Sequence, residues 1–343
     1  MKISVALCTY NGAKYILQQL ESIAQQTVRP AEIVVCDEGS GDGTVDIIKQ
    51  FSSSCSIPIR IYINEEVLGV TCNFKKAIGL CSGETIALCD QDDVWLPNNL
   101  EEKLSFLGLK ENRHINVVFS DLQLVDQELQ LLPFTMWEKI GFTRARQRQW
   151  KAGHALDVLI KRGNVVTGAS VVFRTSFRQK FVQYLGLSFS GLIHDAILAV
   201  IAAKDESIQF IEPITVYYRQ HPEQQFGSGE PFQLPPFTKR AEKIWRNAEN
   251  VDPELENISM SKCRSMEDLL KLDVPLEKLS FIGQTIKHIK RRRKIIRRSR
   301  LARIFPIAGE FFSLRYKRFS GSLILQPLRD LANKKITNPA NKK

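Results

Sequence analysis

Short apolar runs alternate with helix-like stretches over the first 120 residues, and this alternation limits the folds open to the chain. The strand-like runs are rich in β-branched and other apolar residues, and they lie at Ile3–Cys8, Glu32–Cys36, Ile57–Ile63, Thr85–Cys89 and Val117–Ser120. Between them apolar residues recur at helical spacing, as in Ile16, Leu20 and Ile23. Strands that alternate with helices predict a mostly parallel, doubly wound α/β sheet. Such sheets bind ligands at the carboxyl ends of their strands.

The middle and the end of the chain follow a different pattern. The middle is less regular and contains a predicted strand at Ala169–Phe173, a helix at Asp195–Ala203 and a strand at Ile214–Tyr218. The end of the chain reads as helical and highly charged. We therefore predict an α/β domain over residues 1–245 and a helical, basic C-terminal extension over residues 246–343.

Positive charge is concentrated in the last part of the chain. The net charge is +11, but residues 281–343 carry 18 Lys and Arg against 2 Asp and Glu, which leaves residues 1–280 at −5. Isoleucines recur at near-helical intervals through the basic segment, at Ile282, Ile286, Ile289, Ile296 and Ile304. This pattern predicts a basic amphipathic helix on an anionic membrane surface, with a helix packed on the folded domain as the alternative. Aromatic residues are not interleaved with the Arg run, so nucleic acid is not an expected partner.

Two further features bear on where the protein acts. The chain has no long apolar run that predicts a membrane-spanning helix, and Ile3–Cys8 is too short for a signal peptide. The 7 cysteines lack C-x-x-C spacing and favour neither a disulfide framework nor a zinc site. We expect a cytoplasmic protein, with peripheral attachment to the inner face of the cell membrane as a further expectation.

An acidic cluster marks the first candidate site. Asp90, Asp92 and Asp93 directly follow the predicted strand Thr85–Cys89. Carboxylates this close repel one another unless a positive charge lies beside them. Mg²⁺ or Mn²⁺ arriving with a nucleoside diphosphate would supply that charge, because both ions accept oxygen ligands. A solvated acidic loop is the alternative, although Val94-Trp95-Leu96-Pro97 would pack this segment against the core.

A glycine-rich loop follows the second predicted strand. Asp37 ends that strand, and Gly39, Gly41 and Gly43 follow it, which permits close approach of a ligand to the backbone. An acid in this place is suited to bond a nucleoside. The dinucleotide fingerprint is absent, because Thr9-Tyr10-Asn11-Gly12 occupies the turn after the first strand. Taken alone, the loop is equally well explained as a simple turn.

Two later segments carry further candidates. His194-Asp195 begins the predicted helix in the middle of the chain. An acid at a helix start is often only a cap, but the helix dipole also keeps such a carboxylate ionised. The run Tyr217-Tyr218-Arg219-Gln220-His221 ends the last predicted strand. Arg219 or His221 would there stabilise a diphosphate leaving group, with a surface strand end as the alternative.

In their order and spacing these segments resemble the signature of family 2 glycosyltransferases. The resemblance rests on Ala6–Gly12, the Asp37–Thr44 loop, Leu68-Gly69 with Asn73, and Asp90–Trp95, and it covers about the first 120 residues. The run Asp-Gln-Asp-Asp-Val-Trp is similar to the version in rhamnosyltransferase-like enzymes of bacterial surface-polysaccharide synthesis. The resemblance implies a GT-A fold, a Rossmann-like nucleotide-sugar-binding architecture.

The resemblance also implies roles for the matching residues. The nucleotide is expected to contact Thr9, Tyr10, Asn11, Asp37 and Asp90. Asp90 and Asp92 match the family's D-x-D acids, and together with His221 they are the expected ligands of Mg²⁺ or Mn²⁺. Asp93 is an additional acid of less defined role, and Trp95 follows it.

For Asp195 the resemblance implies the catalytic base. An ionised carboxylate would take the proton from an acceptor hydroxyl as that oxygen attacks the anomeric carbon, which inverts the sugar without a covalent intermediate. His194 with Asp195 resembles the form that this base takes in the subgroup, and Asn164–Gly168 with Ser170 resembles the loop that shapes the acceptor side. The chain departs from the usual pattern where Glu38 replaces the second acid of Asp-Asp-Gly-Ser, and where Pro222-Glu223-Gln224 replaces Gly-Asn-Asn.

The sequence thus predicts an inverting hexosyl- or deoxyhexosyltransferase. The expected donor is a UDP- or dTDP-sugar, dTDP-rhamnose among them, and the expected acceptor is a saccharide or lipid-linked saccharide of cell-surface polysaccharide or glycolipid synthesis. Residues 1–120 would bind the nucleotide and residues 121–245 the acceptor. A sugar nucleotidyltransferase matches less well, because it needs a basic Gly-rich loop directly after the first strand. A catalytically inactive sugar-nucleotide-binding or membrane-associated regulatory protein stays open as the alternative, although the intact acids argue against it.

Overall fold

The chain consists of two compact units. The first is formed by Met1–Phe189 with Ile193–Pro231, and the second by Ser190–Leu192 with Phe232–Lys343. The computed structural model describes residues 1–224, 262, 264–296, 306–307 and 315. The boundary predicted at residue 245 lies outside the described residues.

The first unit is an α/β fold with two sheets. In chain order its strands are β1 (Ile3–Thr9), β2 (Glu32–Asp37), β3 (Ile59–Ile63), β4 (Thr85–Cys89), β5 (Val94–Trp95), β6 (Val117–Ser120), β7 (Gln123–Val125), β8 (Leu131–Thr135), β9 (Val172–Arg174), β10 (Ile208–Ile211) and β11 (Val216–Arg219). The larger sheet has the order β10-β6-β9-β4-β1-β2-β3. Its strand pairs are parallel except those of β9, which lies antiparallel between β4 and β6. The mostly parallel sheet predicted from the sequence is confirmed.

Helices connect the strands of the first unit. In chain order they are α1 (Ile16–Ala24), α2 (Thr44–Ser54), α3 (Val70–Leu80), α4 (Asn99–Gly108), α5 (Met136–Ile140), α6 (Arg144–Gln149), α7 (Ala155–Arg162), α8 (Thr175–Leu185) and α9 (His194–Lys204). Helix α9 is buried at every position from His194 to Ala203. Its sequence is apolar on all sides, as is typical of a helix in the middle of a core. Its polar first turn is therefore held in a fixed place inside the protein.

The central strands carry the core of the first unit. Every residue of β1, β2 and β4 is buried, whereas the edge strand β3 is partly exposed. Parallel strands covered on both faces need continuous apolar runs, which explains the pattern of the sequence. Thr9 and Asp37 end β1 and β2 as register partners. The polar ends of neighbouring strands are thereby brought together.

The smaller sheet supports the segment after the acidic cluster. Its order is β5-β11-β7-β8, and Trp95 of β5 pairs with Val216 of β11. Trp95 is buried, so this segment packs against the core as the sequence indicated. The strand predicted at Ala169–Phe173 is shorter than expected. Gly168–Ser170 forms a 3₁₀ turn in which the Ser170 N–H donates to the Thr167 carbonyl at 3.0 Å, and β9 begins only afterwards.

The described part of the second unit contains the basic helix. Helix α10 (Leu276–Ile296) buries Ile282 and Ile289 and exposes Lys287 and Lys294. These two isoleucines are therefore covered by protein, while the two lysines face solvent. The rest of the predicted amphipathic segment lies outside the described residues. Among the described helices, none combines the length and the apolar character needed to cross a membrane.

Candidate active site

A cavity of about 590 Å³ in the first unit gathers most of the predicted site residues. The predicted residues in its wall are Thr9, Tyr10, Asn11, Asp90, Asp92, Gly168, His194, Asp195 and His221. Thr9 ends β1, and Asp90 follows β4, the parallel neighbour of β1. The cavity therefore lies at the carboxyl ends of the central strands, where open α/β sheets bind ligands.

The turn after β1 is fixed by Gln91 of the acidic cluster. The Gln91 amide accepts the Tyr10 N–H through Oε1 at 2.8 Å and donates to the Tyr10 carbonyl through Nε2 at 2.9 Å. A Cβ on Gly12 would lie 2.2 Å from Gln91 Oε1, so a larger residue at this position would displace the Gln91 amide. Asn11 has a φ of 47°, and its N–H donates to Ser40 Oγ at 2.8 Å. The polar segments after β1, β2 and β4 therefore hold one another in place.

The loop after β2 uses its two acids differently from the expectation. Asp37, the predicted nucleoside contact, has no exposed surface and does not line the cavity. Its carboxyl accepts Thr9 Oγ1 at 2.7 Å, Ser40 Oγ at 2.6 Å and the Ser40 N–H at 2.7 Å. Glu38 does line the cavity, and its buried Oε1 has no hydrogen-bond partner within the described part of the chain. Asp37 thus holds the loop, while Glu38 lies in the cavity wall with a carboxyl oxygen that is unpaired in the described part of the chain.

Asp195 lies at the N-terminus of α9 with its carboxyl buried in the cavity wall. Oδ1 accepts the Ala196 N–H at 2.5 Å, and Oδ2 accepts the Gly168 N–H at 3.3 Å. Burial raises the pKa of Asp195 to about 6, and these hydrogen bonds partly oppose the rise. The carboxyl is therefore mostly ionised at neutral pH yet basic enough to accept a proton, which suits a general base.

The pKa of Asp90 is also shifted by its position in the cavity wall. Burial, followed by the nearby charges of Asp92 and Asp195, raises the pKa of Asp90 to about 8. A positive charge in the cavity would favour the ionised form again, because opposite charges stabilise a carboxylate. The acidic cluster is therefore suited to receive a cation.

His221 joins the acidic cluster through Asp92. Its Nε2 lies 2.9 Å from Asp92 Oδ2, and its Nδ1 lies 3.0 Å from Glu223 Oε2. The hydrogen bond with Asp92 is the largest cause of the raised pKa of His221. The ring also packs on Tyr15, with ring centroids 4.8 Å apart. Asp92 and His221 thus present neighbouring donor atoms to the cavity.

Arg219 and Asp93 lie behind the cavity and do not line it. Arg219 donates through Nε to the Asp92 carbonyl at 2.7 Å, through Nη1 to the Gln127 carbonyl at 2.5 Å and through Nη2 to Gln18 Oε1 at 2.6 Å. Its backbone N–H donates to Asp93 Oδ1 at 3.1 Å. The buried guanidinium therefore positions the acidic loop, and it does not extend toward a diphosphate as the sequence suggested.

His194 has an unusual environment for a polar side chain. Its buried ring stacks on Phe74, with centroids 4.1 Å apart. Neither ring nitrogen has a hydrogen-bond partner among the residues that the structure describes. Burial lowers the pKa of His194 to about 3, so the ring is neutral at physiological pH.

The donor atoms of the cavity fit a divalent cation that brings ligands of its own. Asp90 and Asp92 offer carboxyl oxygens, and His221 offers a ring nitrogen, a set that Mn²⁺ accepts. In the described ranges, no group of three or more His, Cys, Asp or Glu side chains is arranged to hold a metal ion. Nucleotide-dependent enzymes commonly hold Mg²⁺ by one or two carboxylates plus substrate phosphates and water. The residues therefore fit a cation that arrives with a diphosphate.

Several cavity residues escaped the sequence analysis. They are Lys14, Tyr15, Val70, Phe74, Ile193 and Tyr218. Lys14 was visible as a basic residue just after the turn that follows β1. The place of Phe74 opposite His194 depends on the packing of α3 against α9, for which the sequence offers no local signal.

The two sheets and the position of the cavity correspond to the GT-A fold. The fragment 1–349 of S. aureus TarS, solved in complex with UDP-GlcNAc, matches with a TM-score of 0.52. The match has 17% sequence identity and covers 97% of this chain and 90% of that chain. A likeness at this identity concerns the fold, and it confirms the fold class predicted from the sequence.

Sequence comparison supplies the family. Residues 4–158 match the family model described as glycosyl transferase family 2. The putative glycosyltransferase EpsE of Bacillus subtilis is 30% identical over 126 residues, which are 37% of this chain and 45% of EpsE. The family resemblance drawn from the sequence is confirmed, and its rhamnosyltransferase-like subgroup stays a prediction.

A second relative has a more specific name. The UDP-Glc:alpha-D-GlcNAc-diphosphoundecaprenol beta-1,3-glucosyltransferase WfgD of Escherichia coli is 29% identical over 142 residues. These residues are 41% of this chain and 54% of WfgD. The chain spans about half the length of the curated relatives it matches.

Proposed function

We propose that this protein is an inverting glycosyltransferase that moves a hexosyl or deoxyhexosyl group from a UDP- or dTDP-sugar to an acceptor hydroxyl. Its place is in cell-surface polysaccharide or glycolipid synthesis, and dTDP-rhamnose is among the candidate donors. The observation that carries the proposal is the buried carboxyl of Asp195, in one cavity with Asp90, Asp92 and the unpaired oxygen of Glu38. The names of the relatives support it, since WfgD uses UDP-Glc and the TarS fragment binds UDP-GlcNAc.

The geometry around Asp195 is suited to a single displacement. The N–H groups of Ala196 and Gly168 fix the direction of the carboxyl. Asp195 takes the proton of the acceptor hydroxyl while that oxygen bonds to the anomeric carbon and the bond to the diphosphate breaks. Attack opposite the leaving group inverts the sugar. Asp90, Asp92 and His221 would hold a divalent cation, and its charge would stabilise the diphosphate leaving group.

Donor hydrolysis tests this function without knowledge of the acceptor. The purified protein is incubated with UDP-, dTDP- and GDP-sugars in the presence of Mn²⁺, and the released nucleotide is measured. We expect release from a UDP- or dTDP-sugar. A protein that binds UDP yet releases nucleotide from no sugar donor would be a binding protein, and the proposed activity would be wrong.

Nucleotide preference is expected to depend on Glu38. Uracil and thymine carry an N3–H donor that matches the unpaired Glu38 oxygen, whereas cytosine and adenine carry no such donor. With Mn²⁺ present, UDP and dTDP at ~100 times their dissociation constants should stabilise the fold by about 2.7 kcal/mol, and CDP and ADP should not at the same concentration. Glu38→Leu should weaken UDP binding by about 10- to 100-fold, since hydrogen bonds to charged groups contribute about 1.5–3 kcal/mol. Thermal shift and calorimetric titration measure both effects.

The matched control for Glu38 is Glu66→Leu. Glu66 is exposed in the loop before α3 and does not line the cavity. This variant should bind UDP as the unchanged protein does. Equal thermal shifts with UDP and CDP, or unchanged UDP affinity in Glu38→Leu, would show that the base edge is read elsewhere.

Membrane attachment is proposed to depend on charge rather than on the apolar face of α10. Ile282 and Ile289 are buried, so the exposed lysines of this helix would meet the membrane. Each Lys near an anionic leaflet contributes about 1 kcal/mol. Replacing Lys287 and Lys294 together by Glu should weaken binding to phosphatidylserine vesicles by at least about 30-fold, as the loss of about 2 kcal/mol requires. Sedimentation with anionic and neutral vesicles at low salt measures this.

The control for Lys287 and Lys294 makes the same change of charge at two basic residues outside α10. Lys110 and Arg113 are exposed in the first unit, and their joint replacement by Glu should leave vesicle binding unchanged. Added salt should release the unchanged protein from anionic vesicles. If it stays in solution with anionic vesicles at low salt, the tail does not attach the protein to membranes.

A further inference from the structure

A buried and unpaired histidine lies beside the candidate base. His194 directly precedes Asp195 and is 4% exposed, yet it lines the cavity. Its Nδ1 and Nε2 both lack a hydrogen-bond partner in the described part of the chain. Buried polar side chains are nearly always paired, so two unpaired nitrogens in a cavity wall indicate partners supplied by a ligand.

The packing around the ring keeps these nitrogens in place. One face stacks on Phe74 of α3, with centroids 4.1 Å apart. A Cβ on Gly168 would lie 3.0 Å from His194 Nε2 and 3.6 Å from Asp195 Cβ. Gly168 therefore allows the imidazole edge and the carboxyl to lie side by side. A ligand that contacts Nε2 is thus held close to Asp195.

The charge state of the ring limits the kind of ligand. Burial lowers the pKa of His194 to about 3, so the imidazole is neutral when the enzyme works. A neutral imidazole has one donor and one acceptor nitrogen, and a hydroxyl group likewise both donates and accepts. Proton transfer would require a pKa near the working pH, which this ring does not have. Saccharide hydroxyls meet the requirements of the site.

We propose that His194 binds a hydroxyl of the sugar in the cavity and determines which saccharide is accepted. This inference rests on the proposed function and adds to it a residue that discriminates between sugars. The hydroxyl belongs either to the donor sugar or to the acceptor, and both have the same chemistry at the imidazole. Removal of this hydroxyl from the substrate should therefore slow the reaction only when His194 is present.

The experiment compares His194→Phe with the unchanged protein. Phenylalanine keeps an aromatic ring that can stack on Phe74, and it removes both nitrogens. We expect the catalytic efficiency with the natural sugar to fall about tenfold, in line with the loss of one neutral hydrogen bond. His194→Gln retains a donor and an acceptor and should recover part of the loss. The dissociation constant for UDP with Mn²⁺, measured by calorimetry, should not change in either variant.

The matched control is His154→Phe, which changes an exposed histidine outside this cavity and should have no effect.

Deoxygenated sugars identify the hydroxyl. The probes are the monodeoxy forms of the nucleotide-sugar that the protein hydrolyses, and monodeoxy forms of an octyl glycoside that accepts its sugar. In the unchanged protein one deoxy form should react about tenfold more slowly, and in His194→Phe the same form should react as fast as its parent. A donor deoxy form with this behaviour assigns the contact to the donor, and an acceptor deoxy form assigns it to the acceptor.

Two results would overturn the inference in distinguishable ways. Suppose that the unchanged protein transfers sugar, and that each monodeoxy sugar lowers the rate by the same factor in the unchanged protein and in His194→Phe. In that case His194 does not bind a substrate hydroxyl, although the proposed function stands. If the unchanged protein releases nucleotide from no donor, the proposed function and this inference fail together. Circular dichroism checks the fold of the variant, and His194→Leu serves the same comparison if the Phe variant does not fold.

Discussion

Replacing Asp195 by Asn is expected to lower kcat by about 10²- to 10⁴-fold, the usual contribution of a general base. The amide keeps the shape of the carboxyl and accepts the Gly168 or Ala196 N–H through its oxygen, but it cannot take a proton. Asp195 is not among the groups expected to bind the nucleotide or the cation, so UDP affinity should be unchanged. Transfer measured at saturating donor gives kcat, and calorimetry gives the UDP dissociation constant.

The same substitution is expected to stabilise the protein. Burial raises the pKa of Asp195 to about 6, above the value of about 3.9 for an unfolded chain. The folded state therefore favours the protonated carboxyl, and this stabilisation is lost as pH rises through about 6. At pH 8 ionisation of the buried carboxyl costs about 3 kcal/mol, a cost that Asn removes. Urea unfolding should show the gain of Asp195→Asn at pH 8 and a much smaller gain at pH 4.

The pH dependence of turnover provides an independent readout for Asp195. Because the base must be ionised, the catalytic efficiency should fall as pH decreases through about 6. The matched control is Asp46→Asn, which changes an exposed acid in the first turn of α2 and should leave turnover and its pH profile unchanged. A variant Asp195→Asn that keeps its turnover and loses UDP binding would show that the residue contacts the donor instead.

The sheet was largely predictable from the sequence because its central strands are buried on both faces. Such strands require continuous apolar runs, and Ile3–Thr9, Glu32–Asp37 and Thr85–Cys89 all show them. Strand β9 was predicted to include Ala169 to Phe173, yet it forms only at Val172–Arg174 and pairs antiparallel with β4 and β6. Pairing between strands far apart in the chain depends on tertiary packing, which local patterns do not contain.

The candidate site was predictable where a motif ends a strand or begins a helix. Asp90 and Asp195 occupy such positions, and both line the cavity. Asp37 and Glu38 show the limit of this reasoning. Asp37 is the last residue of β2 and Glu38 the first residue after it, and of these two adjacent acids only Glu38 lines the cavity. Asp37 is kept out of the cavity wall by its hydrogen bonds with Thr9 and Ser40, which a local sequence pattern does not reveal.

Arg219 shows a second limit, because its partners are distant in sequence. The side chain was expected at the diphosphate, but it donates to Gln18, Gln127 and the Asp92 carbonyl. Strand β11 lies between β5 and β7, and this pairing places Arg219 beside the acidic loop. Long-range order of this kind is invisible in a run such as Tyr-Arg-Gln-His.

Replacing Asp92 by Asn is expected to abolish measurable turnover by removing a ligand of the divalent cation. Asp92 Oδ2 lies 2.9 Å from His221 Nε2, so both groups can contact one ion that the donor diphosphate brings. Loss of even an outer partner of a metal ligand costs about 10- to 100-fold in affinity, and loss of the ligand itself should cost more. Mn²⁺ binding in the presence of UDP, followed by electron paramagnetic resonance, should therefore weaken by more than about 100-fold. A chelator should likewise abolish nucleotide release by the unchanged protein.

Asp93→Asn is the matched control, since Asp93 is the adjacent acid with a different place in the structure. It is buried, does not line the cavity, and accepts the Arg219 N–H at 3.1 Å through Oδ1, a bond that an amide oxygen also makes. This variant should bind Mn²⁺ and transfer sugar nearly as the unchanged protein does. If Asp92→Asn and Asp93→Asn lose Mn²⁺ binding equally, the acids act through the fold of their loop. If the unchanged protein retains full activity in chelator, the reaction needs no cation, and the positive charge beside the diphosphate must come from the protein, where Lys14 lines the same cavity.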